Sequence, residues 1–152
     1  MNDYVLLTDS SADLSDELVR ELDIQVLPLS FTMGDKTYQN WPDNREMDPG
    51  DFYRSLREGT MATTSAVNVG DYIEALTPVL EEGKDVLILA FSSGLSATCH
   101  SALIAAQELM EQFPERKVYV VDTLCASLGQ GLLVWYAARM RQEGKSLEEV
   151  RD

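Results

Sequence analysis

The sequence predicts a layered α/β/α domain built on a mostly parallel sheet. Three short, mostly apolar runs, at residues 4–8, 85–91 and 117–121, have the pattern of strands that are covered on both faces. Each run is followed by a polar turn and then by apolar residues at helical spacing, and this alternation is typical of α/β folds. The 152 residues are 45% hydrophobic, which is enough for one core without metal or disulfide support.

The three helices that follow these strands are defined by apolar residues near a period of 3.6. In chain order these residues are Leu18, Val19 and Leu22; Leu103, Ala106, Met110 and Phe113; and Leu128, Leu132, Trp135 and Met140. Asp13 is expected to cap the first helix. Gly129 and Gly131 are expected to interrupt the third helix at its start, because glycine weakens a helix interior.

A hairpin and two more helices are predicted between the first two strand–helix units. Residues 26–32 are expected to form one strand, and residues 37–41 to return as a second strand after a tight turn. A helix is predicted over residues 48–57, where Asp48 is the N-cap and a proline takes the first helical position. Another helix is expected over residues 69–82.

The charge balance argues against several classes of partner. Twelve Lys and Arg residues against 26 Asp and Glu residues give a net charge of −14, and the basic residues are scattered. A nucleic-acid-binding protein needs a basic stripe to displace counterions, so no nucleic acid partner is expected. The uncharged stretch at residues 86–107 contains a Ser-Ser-Gly turn and a histidine, so the protein is not expected to be integral to a membrane.

The cysteines and the first residues of the chain indicate a cytoplasmic protein. Cys99 and Cys125 do not make a disulfide scaffold. The first residues carry no basic segment and only a short apolar run, so they are not expected to be a signal peptide. A reducing, cytoplasmic location is therefore the expectation.

Hydroxyl-bearing residues follow all three predicted strands, at 8–11, 91–96 and 121–123. Because the carboxyl ends of parallel strands lie at one edge of a sheet, these residues are expected to line one crevice. The turn at 91–96 leads into a helix beginning near Ala97, whose free N–H groups attract a carboxylate or a phosphate. The alternative is that these serines are only turn and capping residues and that the uncharged segment 60–68 is a solvated loop. The sequence leaves both interpretations open.

Common enzyme sites find little support in the sequence. The only histidine, His100, lies eight residues after Ser92, and the turn lacks the G-x-S-x-G pattern of serine hydrolases. Cys99 and His100 are adjacent on a helix and therefore diverge, so both are interpreted as packing residues. A P-loop is absent, and Asp9 with Asp13 lacks the second acidic cluster that a magnesium site needs. The sequence therefore predicts no catalytic residue, no metal and no cofactor.

Four motifs, in order along the chain, resemble the DegV family of bacterial fatty-acid-binding proteins. They are TDSSADLSDEL, TTSAVNVGDY, FSSGLSATCHSA and VDTLCASLGQG. The resemblance covers the chain from residue 4 to its end. It implies the family's α/β/α fold, known as the EDD fold, and a long-chain fatty acid such as palmitate as the ligand. In some members of the family the protein presents the acid to a separate fatty acid kinase.

The resemblance also implies the ligand-binding residues. The family's Thr-Ser pair falls on Thr64 and Ser65, and its Ser-Ser-Gly turn falls on Ser92, Ser93 and Gly94. After Thr-Ser the family usually continues Gln-Pro-Ser, and this chain departs from that pattern without changing the five residues. We therefore expect the carboxylate to be held near a helix N-terminus by hydroxyls of Thr64 and of Ser92 or Ser93.

A second domain is a further implication of the resemblance, because family members are nearly twice as long as this chain. On this interpretation residues 1–145 form an N-terminal, fatty-acid-binding domain. Residues 146–152 begin a helix that leads into a C-terminal domain, which is absent. We expect a lipid-binding protein rather than an enzyme. The alternative is a small-molecule enzyme, of hydrolase or kinase type, that uses the same crevice.

Overall fold

The computed structural model describes residues 4–152, which form two sheets flanked by helices. The strands are β1 (Tyr4–Asp9), β2 (Ile24–Leu27), β3 (Ser30–Met33), β4 (Lys36–Gln39), β5 (Ala62–Ser65), β6 (Asp85–Ala90) and β7 (Val118–Asp122). The helices are α1 (Asp16–Glu21), α2 (Pro49–Arg57), α3 (Val69–Glu81), α4 (Thr98–Gln112), α5 (Ser127–Gln142) and α6 (Leu147–Arg151), with a short 3₁₀ helix at Ser10–Ala12. The larger sheet has the order β2-β1-β6-β7, and the smaller sheet has the order β4-β3-β5.

The central sheet confirms the predicted α/β/α layers, because all its neighbouring strands are parallel. The three apolar runs of the sequence form β1, β6 and β7. Alternate residues of a strand point to opposite faces. Leu7 and Ile88 therefore enter one core cluster with α3 and α4, whereas Leu6 and Leu87 enter another with α5. Both faces are covered, as is usual for a parallel sheet.

The single strand predicted over residues 26–32 is wrong, because the chain changes sheets in the middle of it. β2 ends at Leu27 beside β1, and β3 begins at Ser30 in the smaller sheet. Pro28 lies between the two strands, and proline supplies no N–H group for a continuing ladder. The predicted tight turn is present at Gly34, where φ is 62°. Part of the segment considered as a loop forms β5 against β3.

Two helices begin where the sequence predicts them. The Asp48 carboxylate caps α2 by accepting from the backbone N–H of Gly50 (2.8 Å), and Pro49 is the first helical residue. α3 begins after Asn68, which forms a capping box with Asp71. None of the helices between residues 4 and 152 has the length and apolar character needed to cross a bilayer.

The cap of α1 differs from its prediction. The Ser15 hydroxyl, not Asp13, accepts a hydrogen bond from the backbone N–H of Leu18 (3.3 Å). Asp13 ends the 3₁₀ helix with a positive φ of 53° and accepts a bond from the Ser127 hydroxyl (2.6 Å). The 3₁₀ helix has no clear sequence signal. Because it precedes α1, that helix begins only at Asp16, and the Asp13 side chain bonds the first residue of α5 instead of capping α1.

Helix α5 differs from its prediction in its continuity and in its buried face. It runs through Gly129 and Gly131 without interruption. Leu128 and Leu132, whose spacing predicts the helix, are exposed. A Cβ atom at Gly131 would lie 2.7 Å from the Ala12 carbonyl oxygen, so this helix packs too closely for large side chains. Its buried residues are Gln130, Gly131, Val134, Ala137 and Ala138.

Tyr72 of α3 gives a stability prediction. Its side chain is fully buried, burial raises the pKa of the phenol, and its hydroxyl has no hydrogen-bond partner among the described residues. Because an unpaired buried hydroxyl is unfavourable, we expect Tyr72→Phe to raise the free energy of unfolding by about 1 kcal/mol. Urea denaturation measures the change.

Tyr4→Phe is the matched control for this prediction. The Tyr4 hydroxyl donates to the Lys145 carbonyl oxygen (3.2 Å), so its removal breaks a bond instead of relieving an unpaired group. We expect the control to lose about 1 kcal/mol of stability. Destabilisation of both variants by the same amount would contradict the prediction for Tyr72.

Candidate functional site

The carboxyl ends of β1, β6 and β7 lie side by side at one edge of the sheet, as the sequence predicts, and hydrogen bonds join them. The backbone N–H of Ser92 donates to the Cys125 carbonyl oxygen (3.0 Å), and the Thr123 hydroxyl donates to the Ala90 carbonyl oxygen (2.8 Å). On the other side, the N–H of Phe91 donates to a carboxylate at the end of β1 (2.8 Å). The turn that follows β6 is therefore held from both neighbouring strands.

The turn itself is closed by bonds to Ser92, which is buried. The Ser92 hydroxyl accepts from the N–H of Gly94 (3.2 Å), and its carbonyl oxygen accepts from the N–H groups of Leu95 (3.0 Å) and Ser96 (3.1 Å). α4 begins directly afterwards at Thr98, and the alanine at its N-cap position offers no capping side chain. The positive end of the α4 dipole therefore adjoins the turn.

Asp122 carries a negative charge at this edge of the sheet, and Ser93 bonds it. The backbone N–H of Ser93 donates to the Asp122 carboxylate (3.1 Å), and the N–H of Leu124 donates to the same oxygen (3.1 Å). A hydrogen bond from the Ser93 side chain, together with these backbone bonds, lowers the pKa of Asp122. Asp122 therefore places a negative charge beside Ser93, at the outer side of the turn.

A cavity of about 370 Å³ lies beside the 3₁₀ helix, and Thr64 is part of its wall. The polar residues of its lining are Ser10, Ser11, Asp13, Ser30, Asn40, Asn44 and Thr64, of which Asp13 is the charged one. Large apolar or aromatic side chains in its lining come from Leu29, Phe31, Met47, Phe52 and Tyr53. The rings of Phe31 and Phe52 pack edge to face, with centroids 5.3 Å apart. Polar residues are as numerous as apolar ones, but most of the exposed surface of the lining is apolar, as is usual for a small-molecule site.

The residues predicted to bind the ligand fall into three places. Thr64 lines the cavity described above, whereas Ser65, the next residue of β5, lines a second cavity of about 600 Å³. The turn at residues 92–94 lines neither of these cavities. The N–H of Val67 donates to the Thr98 hydroxyl (3.3 Å), which ties the segment after β5 to the start of α4. The structure therefore links the two motifs without placing all five residues around one cavity.

Cys99 and His100 have different environments. Cys99 is buried in a core cluster, and burial raises the pKa of its thiol, which confirms its interpretation as a packing residue. His100 is exposed, so the same interpretation is wrong for it, because the helical rotation between adjacent residues turns its side chain away from the core. Residues 4–152 contain no cluster of three or more side chains suited to a metal ion.

The sequence did not predict a buried polar network at the end of β1. Thr8, Asp9 and Gln130 are all fully buried. The Gln130 side-chain amide donates to the Thr8 hydroxyl (3.0 Å) and to the Asp9 carboxylate (3.2 Å). The Ser11 hydroxyl lies within hydrogen-bond distance of Asp9 and of the Gln130 side-chain oxygen. A carboxylate directly after an apolar strand was the only local signal, since Gln130 is 121 residues further along the chain.

Comparison with known proteins identifies relatives over almost the whole chain. Residues 4–152 match the model of a family described as uncharacterised proteins of the DegV family. A DegV domain-containing protein of Clostridium perfringens is 45% identical over 150 residues, which are 99% of this chain and 51% of that protein. The chain thus spans about half the length of the curated relatives it matches.

Solved structures show the same fold. A fatty-acid-binding DegV family protein of Thermus thermophilus has a TM-score of 0.85 and 38% identity, covering 97% of this chain and 50% of that one. A Thermotoga maritima protein whose structure reveals a fatty acid binding function has a TM-score of 0.85 and 33% identity, covering 99% of this chain and 53% of that one.

Proposed function

The chain belongs to the DegV family, and we propose that it binds a long-chain fatty acid such as palmitate and catalyses no reaction on it. The observation that carries this proposal is the cavity in which Thr64 and several hydroxyl groups meet a mainly apolar lining. An amphiphile satisfies both kinds of surface. The fatty acid binding of the Thermus thermophilus and Thermotoga maritima relatives supports the same ligand class.

We place the carboxylate of the acid between Thr64 and the turn at Ser92, Ser93 and Gly94. We favour Ser92 over Ser93 as the donor, because Ser93 lies beside the Asp122 carboxylate, whose negative charge repels that of the acid. Each hydrogen bond to a carboxylate contributes about 1.5–3 kcal/mol. A contact between the ligand and Ser65 stays a prediction from the family resemblance, since this side chain lines the other cavity.

The acyl tail is proposed to lie against the apolar part of the same cavity. Phe31 and Phe52 offer ring surfaces there, and Tyr53 packs edge to face on Phe52 with centroids 5.3 Å apart. Each buried methylene of the tail contributes about 0.8 kcal/mol. Tail burial therefore supplies most of the affinity, while the hydroxyl groups fix the position of the head.

An enzyme of hydrolase or kinase type is the rival proposal. It is disfavoured because neither Ser92 nor Cys99, the candidate nucleophiles near the turn, is activated by its surroundings. The Ser92 hydroxyl accepts from Gly94 and adjoins no base among its described hydrogen-bond partners, and His100 is exposed. Burial raises the pKa of the Cys99 thiol, which is the opposite of the change that activates a cysteine.

Two further features of the proposal come from the family resemblance and from the cysteines. Presentation of the bound acid to a separate fatty acid kinase is carried over from the family. A cytoplasmic location fits the two free cysteines, Cys99 and Cys125. Detection of a kinase that copurifies with the protein from its own cells, and that phosphorylates the acid only in its presence, tests the first feature.

Replacement of Thr64 tests the proposed position of the carboxylate. We expect Thr64→Val, which keeps the shape of the side chain and removes its hydroxyl, to weaken palmitate binding about tenfold, as the loss of one hydrogen bond to a charged group would. Thr63→Val is the matched control, because neighbouring residues of β5 point to opposite faces. Isothermal titration calorimetry compares the two variants. Equal affinity in both would move the carboxylate elsewhere.

A further inference from the structure

Asp9 is an unusual residue for the end of a buried strand. Its carboxylate is fully buried, and within residues 4–152 it forms no ion pair with Lys, Arg or His. Burying a carboxylate is strongly unfavourable unless hydrogen bonds replace the lost water. Here hydrogen-bond donors from three separate parts of the chain take the place of water around the carboxylate. An apolar side chain at this position could not hold those three segments together.

The donors to Asp9 come from the segments that build the candidate site. Its Oδ2 atom accepts from the backbone N–H of Phe91 (2.8 Å), and its Oδ1 atom accepts from the backbone N–H of Ser11 (3.2 Å) and the side-chain amide of Gln130 (3.2 Å). The Ser11 hydroxyl also donates to Oδ1. One carboxylate thus connects the 3₁₀ helix, the end of β6 and the first turns of α5.

The bonds from Phe91 and Ser11 to Asp9 fix the position of two parts of the proposed ligand site, the turn after β6 and the Ser11 side chain. Phe91 directly precedes Ser92, so its bond to Asp9 sets where β6 ends and where the turn begins. Ser11 lines the cavity, and its orientation is set by its two bonds to Asp9. Asp9 therefore controls the relative position of the turn and the hydroxyl-bearing wall of the cavity.

We infer that Asp9 is the positioning residue of the ligand-binding edge, acting through Phe91 and Ser11 without touching the ligand. The inference deepens the proposed function and rests on it for the identity of the ligand. It also makes a claim about the ligand-free protein, namely that the turn is held by this carboxylate. That claim can be measured whether or not a fatty acid binds.

Asp9→Asn is the direct test, because it keeps the shape of the side chain. An amide has one accepting and one donating end, so its NH₂ group must face at least one of the N–H donors that the carboxylate satisfies. We expect palmitate affinity to fall about tenfold at temperatures where the variant is fully folded. We also expect hydrogen exchange at the amides of residues 91–94 to become at least about tenfold faster in the ligand-free protein, because the bond that holds the turn is weakened.

Val79→Ala is the matched control for a loss of stability alone. Val79 lies in the last turns of α3 and packs in a core cluster, away from the turn after β6. We expect this variant to lower thermal stability while palmitate affinity and exchange at residues 91–94 stay within twofold of the original protein. If Asp9→Asn behaves like Val79→Ala in both measurements, Asp9 is only a structural residue and the inference is overturned.

A second variant covers the case in which Asp9→Asn does not fold. Gln130→Leu removes one donor to Asp9 and leaves the carboxylate and its bond to Phe91 in place. We expect the same faster exchange at residues 91–94, reduced to about threefold. Faster exchange confined to α5 would overturn the inference. If the original protein binds no palmitate while Asp9→Asn still loosens the turn, the proposed function fails and the positioning role of Asp9 stands.

Discussion

Palmitate is expected to bind this 152-residue chain at least about a hundredfold more weakly than the same chain extended to the length of its relatives. The chain spans about half of those relatives, and we propose that the other half supplies a second wall for the acyl tail. The cavity of about 370 Å³ lies near the lower limit for ligand sites, which are roughly 300–1,000 Å³. A hundredfold change is about 2.7 kcal/mol, or three to four methylenes left in water.

The surface near the turn supports this expectation. Leu95, Leu124 and Leu128 are 68%, 74% and 66% exposed. The hydrogen bond from the Ser92 N–H to the Cys125 carbonyl oxygen brings the turn after β6, which carries Leu95, next to the start of α5 and the segment before it, which carry the other two. Calorimetry with palmitate on the chain alone, and on the chain joined to the second half of the Clostridium perfringens relative, measures the difference. Equal affinity would show that the acyl site lies wholly within these residues and that no second wall is needed.

Gly131→Ala is expected to lower the free energy of unfolding by about 2–3 kcal/mol, although alanine favours a helix by about 1 kcal/mol over glycine. The added Cβ atom would lie 2.7 Å from the Ala12 carbonyl oxygen and 3.1 Å from a methyl carbon of Leu14. The first of these contacts is with backbone and cannot be relieved by a rotamer change. α5 must move away, which strains the packing and stretches the bonds from Gln130 to Thr8 and Asp9.

Gly129→Ala is the control in the same helix. Its Cβ atom would meet the Cβ of Cys125 at 3.6 Å, an ordinary contact distance, so only the gain in helix propensity remains. We expect this variant to be more stable than the original protein by about 0.5–1 kcal/mol. Denaturation in urea compares the two. Stabilisation by both alanines would mean that α5 does not pack as closely on the 3₁₀ helix as described.

The parts of the fold that the sequence predicts are those governed by local pattern. β1, β6 and β7 are apolar runs with core residues on both faces, although β7 is only half-buried beyond Val118. α2 carries its own start signal in Asp48 and Pro49. The division of residues 26–32 between two sheets has no signal in the sequence, because the apolar pattern continues across Pro28 while the chain passes from one sheet to the other. The buried face of α5 is also not predicted by the apolar pattern. The residues of α5 that pack against the core are mostly small, whereas its most hydrophobic residues, Leu128 and Leu132, are exposed.

The candidate site was predictable only in part. The meeting of the strand ends follows from parallel strand geometry. The assignment of Thr64 and the Ser92–Gly94 turn to the ligand comes from the family motifs and stays a prediction. The apolar lining depends on where α2 lies relative to β3, so Phe52 and Tyr53 could not be assigned to it from their spacing. The network around Asp9 joins residues 121 positions apart, and a single sequence carries no signal for such a pairing.

Fatty acid binding is tested most directly by native mass spectrometry of the protein purified from bacterial cells, followed by identification of the released ligand. We predict a bound mass equal to one long-chain fatty acid, at partial occupancy in the 152-residue chain and at higher occupancy in the extended chain. Thr64→Val should lower the occupancy of both, while Thr63→Val should not. A ligand-free mass for both chains, or a bound molecule with no carboxylate and no acyl tail, would contradict the proposed function.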